Sequence, residues 1–200
     1  MEDIGVDAVK IGMLADEAVI RHVAAAMVLL RRPLVVVDPV MIATSGAVLV
    51  VAEGAVAALR ARLFPLATVI TPNLPELEHL AGPPSPGRGD DLRPGRGTGR
   101  GERSSGAGER RPCRRRPDHR RAGHRPAQAP HFYEHARINT RHTHGTGCTL
   151  SSAIATLLGR GETLPEAVRL AREFVFSAIE AAPGYGAGHG PLGHQAVRRP

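Results

Sequence analysis

Leu34-Val35-Val36-Val37-Asp38-Pro39 is the stretch on which the fold turns. Four consecutive apolar residues, three of them β-branched, leave no polar side for water, the pattern of a strand covered on both faces in a parallel sheet. Ala67-Thr68-Val69-Ile70-Thr71 repeats it ahead of Pro72-Asn73. Upstream, Val6-Asp7-Ala8-Val9-Lys10-Ile11-Gly12-Met13-Leu14 alternates in part and reads as a strand ending in a glycine turn. Helices fall between these strands. From Asp16 to Leu30 the apolar positions Val19, Val23, Met27 and Leu30 recur at helical spacing until Pro33 punctuates the chain, and Glu53 to Leu63 is helical again. Alternating buried strands and helices imply right-handed βαβ units and an α/β doubly wound sheet with helices on both faces.

The last third reads as a strand from His131 to Ile138, a glycine loop at Gly145-Thr146-Gly147-Cys148, and a helix from about Cys148 to Leu158. Thr163-Leu164-Pro165-Glu166 has the form of a capping box, with Thr163 as N-cap and Glu166 three residues on, so a second helix is expected to run to about Ala181. A glycine-rich tail carries Gly188-His189-Gly190-Pro191.

Between these parts the composition changes. Residues 83–130 contain one residue from the Leu, Ile, Val, Met, Phe, Trp and Tyr set, Leu92, while Arg, Gly and Pro dominate. Such a stretch cannot offset the entropy of ordering and is expected to be disordered. The chain therefore divides into 1–82, 83–130 and 131–200. The same stretch explains the net charge of +7, because it holds 13 Arg against five acidic residues and leaves the rest near neutral. Binding of nucleic acid by this segment is not expected, since no aromatics interleave with its arginines.

Two cysteines, Cys113 and Cys148, make no disulfide framework. The longest apolar stretch, Val23 to Leu30, is far shorter than the roughly 20 residues of a membrane span. The start, Met1-Glu2-Asp3-Ile4-Gly5, has no basic region followed by an apolar run, so a cytoplasmic location is expected, with no membrane partner.

Three places carry chemistry. At Gly145-Thr146-Gly147-Cys148 a loop enters a helix, where unpaired backbone N–H groups and the positive end of the dipole favour an anion. Glycines let a phosphate come close, and a cysteine beside such a terminus is favoured as the thiolate, which accepts a proton. Asp38-Pro39-Val40-Met41 and Thr71-Pro72-Asn73-Leu74-Pro75-Glu76 follow buried strands, at the carboxyl ends where ligands bind in open α/β sheets. Asp38, Asn73 and Glu76 offer hard oxygens of the kind that hold Mg²⁺ through water and substrate phosphates, although an Asp-Pro turn and an Asn helix cap account for the same residues. His142, His144, His189 and His194 lack an accompanying Cys or carboxylate cluster, so no zinc site is expected.

These blocks occur together and in order: Asp7-Ala8-Val9-Lys10-Ile11-Gly12-Met13-Leu14, Val37-Asp38-Pro39-Val40-Met41 with Ser45-Gly46, Thr71 to Glu76, and Thr143-His144-Gly145-Thr146-Gly147-Cys148-Thr149-Leu150-Ser151-Ser152-Ala153. Over residues 5–82 and about 134–194 the chain resembles the hydroxymethylpyrimidine/phosphomethylpyrimidine kinases of thiamine biosynthesis, which have a ribokinase-like fold. The resemblance implies ATP-dependent phosphorylation of hydroxymethylpyrimidine and then of its monophosphate. It implies an anion hole at Gly145, Thr146 and Gly147, Cys148 as base, and Asp38, Asn73 and Glu76 in the Mg²⁺–ATP network, Asp38 and Glu76 reaching the metal through water or phosphate. Met13 and Val40 would line the pyrimidine pocket, and a homodimer is compatible with the family. In ribokinases and pyridoxal kinases an aspartate usually stands in the cysteine's place, so Cys148 favours the pyrimidine branch over a pyridoxal kinase.

The resemblance also implies parts that these 200 residues do not show. Ahead of residue 7 the family has a first βαβ unit whose glycine-rich loop closes over the pyrimidine. Between Gly82 and His131 it has a helix, a strand bearing a Lys-Gly-Gly-His-like nucleotide contact, and a hairpin. The Arg/Gly/Pro-rich text in that place reads as a high-GC gene translated out of frame. An N-terminally truncated, incomplete sheet with impaired activity is thus expected, and an inactive remnant with a basic nucleic-acid-binding segment is the alternative from another class.

Overall fold

The computed structural model describes residues 3–30, 33–41, 53–82 and 130–197. Ser45-Gly46 and nearly all of the expected disordered segment 83–130 lie outside the described residues. The described residues up to 82 and from 132 on belong to one compact unit.

Strands β1 (Ala8–Ile11), β2 (Leu34–Val37) and β3 (Val69–Ile70) form a parallel sheet in the order β1-β2-β3. Ala8 pairs with Leu34 and Ile11 with Val37, while Val36 and Val37 pair with Val69 and Ile70. The β-branched run of β2 is central and buried, as its composition requires. Its side chains divide by parity. Val35 and Val37 join Ile11, Ile20, Ala24, Leu59 and Leu63 in one core, beneath helices α1 (Glu17–Leu29) and α2 (Glu53–Ala58) and the π-helical turn Leu59–Leu63 that continues α2. Val36 joins Ile154, Ala155, Leu158, Ala167 and Ala171 in the other, beneath α4 (Thr146–Gly159) and α5 (Leu164–Glu180). Helices on both faces of a parallel sheet are the doubly wound arrangement expected from the alternation of elements.

Several local expectations need correction. In α1 the buried stripe centres on Ile20 and Ala24, and Val19 is 41% exposed. Asp16 caps this helix by accepting from the Val19 N–H at 2.8 Å. No strand forms at His131–Ile138. That segment is held by side chains along α5 instead: the Tyr133 hydroxyl donates to the Pro165 carbonyl, Arg172 donates to the Tyr133 carbonyl, and the His135 ring stacks on Phe176. Its Glu134, His135 and Arg137 are exposed, so it presents no apolar face to a sheet.

The capping box at Thr163 does not form either. Thr163 occupies the N-cap position without a side-chain hydrogen bond. Glu166 turns to Arg169, one helical turn on, whose Nε donates to its carboxylate at 2.9 Å. That hydrogen bond holds the exposed Glu166 carboxyl below the usual carboxylate range. The box is found instead at α3 (Leu74–Ala81), where Asn73 accepts from the Glu76 N–H and Glu76 accepts from the Asn73 N–H, each at 2.9 Å.

The C-terminal tail is tied to the segment ahead of α4 by backbone contacts, while residues 184–189 are exposed. The His144 N–H donates to the Gly190 carbonyl, Arg141 donates to the Gly186 carbonyl, and His144 bridges to Pro191. Gly193 then donates to the Ala178 carbonyl near the end of α5. A Cβ on Gly193 would stand 2.0 Å from the Ala181 carbonyl oxygen. Because that neighbour is backbone and cannot swing aside, Gly193→Ala is expected to cost about 1–3 kcal/mol, read as a lowered midpoint in thermal unfolding.

Candidate active site

The carboxyl ends of all three strands point to one edge of the sheet, and the sequence-predicted residues collect there. Met13 lies two residues past β1 and is 56% exposed. Asp38-Pro39-Val40-Met41 leaves β2, and Thr71-Pro72-Asn73 leaves β3 into α3. The N-terminus of α4 is brought to the same edge. The Ser151 hydroxyl, in the second turn of α4, donates to Asp38 Oδ2 at 2.9 Å, and Ser151 is fully buried. One polar contact across 113 residues of sequence therefore joins the glycine loop to the end of β2.

Gly145 is the N-cap of α4 at φ 82°, a left-handed conformation that glycine adopts without penalty. The Thr146 N–H and hydroxyl both turn back to the Thr143 carbonyl, at 3.3 and 2.7 Å. The next two donors, the amides of Gly147 and Cys148, lie in the first turn, ahead of the intrahelical ladder. Among the described residues a Cβ built on Gly147 meets nothing within 4 Å, so no packing between them calls for glycine there. Cys148, the third residue of α4, is exposed. Behind the loop, His194 Nε2 lies 2.8 Å from the Thr149 hydroxyl, which itself donates to the Gly145 carbonyl.

The loop after β2 is held under strain. Val40 has φ 39°, a region costly for a β-branched residue, of order 1–3 kcal/mol. Its neighbour Met41 is buried, and the Met41 N–H donates to Glu76 Oε1 at 2.8 Å. The other Glu76 oxygen accepts from Asn73. Glu76 is thus a buried clamp between the Asp38–Met41 loop and the start of α3, and Asn73 is its reciprocal cap. Asp38 differs, because its Oδ2 takes Ser151 and, at 3.6 Å, the Lys10 ammonium, while Oδ1 has no hydrogen bond among the described residues.

As a test for Mg²⁺, this donor set fits a cation that keeps most of its water and leans on substrate phosphates. Among the described residues Asp38 Oδ1 has no hydrogen bond, whereas both Glu76 oxygens already face amides. Among the described residues no three His, Cys, Asp or Glu side chains gather into a cation cage. Lys10 and Ser151 stand in the sequence motifs, which by themselves assign them no role. The signals were present, a lone charge inside an apolar strand and a serine on the buried face of a helix, but their common partner lies far away in sequence.

Comparison with known proteins decides the family. The profile of the phosphomethylpyrimidine kinases matches residues 1–93 and 124–193. The chain belongs to that family. It is 42% identical over 196 residues to the thiamine biosynthesis bifunctional protein ThiED of Geobacter sulfurreducens, covering 96% of this chain and 39% of that protein. It is 38% identical to the hydroxymethylpyrimidine/phosphomethylpyrimidine kinase of Streptomyces coelicolor, covering 97% of this chain and 70% of that kinase. Among solved structures, the ADP complex of Bacillus subtilis pyridoxal kinase superposes with a TM-score of 0.67 at 26% identity, covering 98% of this chain and 72% of that one. The phosphomethylpyrimidine kinase of Clostridium difficile superposes at 0.55 with 26% identity, covering 89% and 71%. The resemblance read from the motifs and the ribokinase-like α/β class are both borne out. The phosphomethylpyrimidine kinase profile extends beyond the motif-based range, leaving 94–123 unmatched.

Proposed function

We propose that this chain carries the phosphoryl-transfer site of a hydroxymethylpyrimidine/phosphomethylpyrimidine kinase, acting with ATP on the pyrimidine alcohol and then on its monophosphate. The observation that carries this reading is the Ser151–Asp38 hydrogen bond, which sets the open amides of the α4 N-terminus beside the carboxyl end of β2. Phosphoryl transfer asks for an in-line nucleophile and for neutralisation of charge on the phosphoryl oxygens. The Gly145-Thr146-Gly147 loop would meet those oxygens, chiefly through the Gly147 and Cys148 amides, and the open space above Gly147 admits them. Cys148 would take the proton of the substrate hydroxyl at its sulfur. Mg²⁺, when bound, neutralises phosphate charge. Asp38 would hold it through Oδ1, and Asn73 and Glu76 would serve the same network by fixing the loop that carries Asp38. Met13 and Val40, at the sheet's carboxyl edge, would flank the pyrimidine.

In the same reading residues 1–82 and 131–200 supply the kinase framework, and the stretch the family profile passes over, 94–123, stands outside it. No helix among the described residues is long and apolar enough to cross a membrane. We place the protein in the cytoplasm.

Structural similarity to pyridoxal kinases favours pyridoxal as the competing alcohol. ADP release assayed with ATP, Mg²⁺ and each alcohol separates the two. The expected result is turnover with hydroxymethylpyrimidine and its monophosphate that exceeds turnover with pyridoxal. Preferential use of pyridoxal, or no turnover with any of the three, would overturn the proposal.

A further inference from the structure

Lys10 is the one charged residue inside β1, and it lies on the sheet face covered by α4. Its ammonium and the Ser151 hydroxyl meet the same oxygen of Asp38, Oδ2. The Asp38 side chain is 6% exposed and that of Lys10 22%. A carboxylate so far from water requires a countercharge and a donor, and here both fall on one oxygen. The other has no hydrogen bond among the described residues, so the carboxylate is oriented before any ligand arrives. Ser151 Oγ also lies 3.0 Å from the Gly147 carbonyl and 3.1 Å from that of Cys148, so the hydroxyl whose proton goes to Asp38 sits against the first turn of α4.

We propose that Lys10 and Ser151 are positioning residues of the kinase site: they anchor Asp38 through Oδ2 so that Oδ1 is presented to the magnesium–nucleotide. This rests on the assignment of Asp38 above. Lys10 acts through Asp38 and not on the phosphates, and Ser151 fixes the distance between the carboxylate and the anion-binding turn.

The test is calorimetric binding of ADP to the full chain at varied Mg²⁺, for Lys10→Met, Lys10→Arg, Ser151→Ala, Asp38→Asn and the double variant Lys10→Met/Asp38→Asn. Lys10→Met and Asp38→Asn should each raise the Mg²⁺ needed for half-maximal binding by roughly tenfold or more, the usual cost of losing a partner that orients a metal ligand. Ser151→Ala should shift it in the same direction, and Lys10→Arg should restore most of the loss. The double variant removes both charges, so it leaves no unpaired buried ion and keeps the fold even where Lys10→Met alone does not. It should match Asp38→Asn alone, because a residue that acts only through Asp38 has nothing further to lose. Additive losses in the double variant, or an unchanged Mg²⁺ dependence in Lys10→Met beside a shifted one in Asp38→Asn, would overturn the positioning role. An unchanged dependence in Asp38→Asn itself would remove the assignment of Asp38, and the positioning role with it.

Discussion

Replacing Cys148 with alanine is expected to lower turnover by about 100-fold or more while leaving the fold intact, since a positioned base contributes on that order. The sulfur is exposed at the third position of α4 and packs in neither core, so its removal leaves no cavity. The amides of the first turn remain, so nucleotide binding should persist and the loss should appear in kcat. Cys148→Asp should recover part of it, because a carboxylate at the same helix terminus also accepts a proton. Single-turnover ADP formation, read beside thermal unfolding of each variant, is the measurement. Unchanged turnover in Cys148→Ala removes the cysteine from the base role.

Glu76→Ala should have the largest effect on stability. Two backbone amides, those of Met41 and Asn73, donate to this buried carboxylate, and truncation strands both. Hydrogen bonds to a charged group are worth about 1.5–3 kcal/mol each, so a loss on the order of 3 kcal/mol is expected. For a chain of this size that lowers the midpoint by roughly 10 °C. Released from Glu76, the strained Val40 turn should relax, and Asp38 with it. Glu76→Gln is expected to fall between the two, since an amide presents one acceptor where two are needed. A wild-type midpoint in Glu76→Ala would show that the loop is held by other contacts.

Where the local sequence decided a feature, the structure follows it. A run such as Leu34–Val37 has no face that tolerates water, so its burial in a parallel sheet follows from composition, and the helices on either side follow from apolar spacing. The glycine turn that opens α4 was also legible, because glycines entering a helix leave backbone donors ahead of the hydrogen-bond ladder. Features that depend on competition between partners were not. The Thr163 box was lost because Arg169 offers Glu166 a stronger partner, and His131–Ile138 follows α5 because strand formation needs a neighbour that no local pattern supplies.

The sequence by itself determined the α/β class, the family and the positions of Cys148, Asp38 and the glycine loop, because strand burial, helix periodicity and helix-terminus chemistry are properties of a few adjacent residues. Only the tertiary structure decided that Glu76 clamps a loop and that Lys10 and Ser151 converge on one oxygen of Asp38. Those outcomes depend on which polar groups meet inside the fold, and a buried carboxylate takes its partners from wherever the chain brings them.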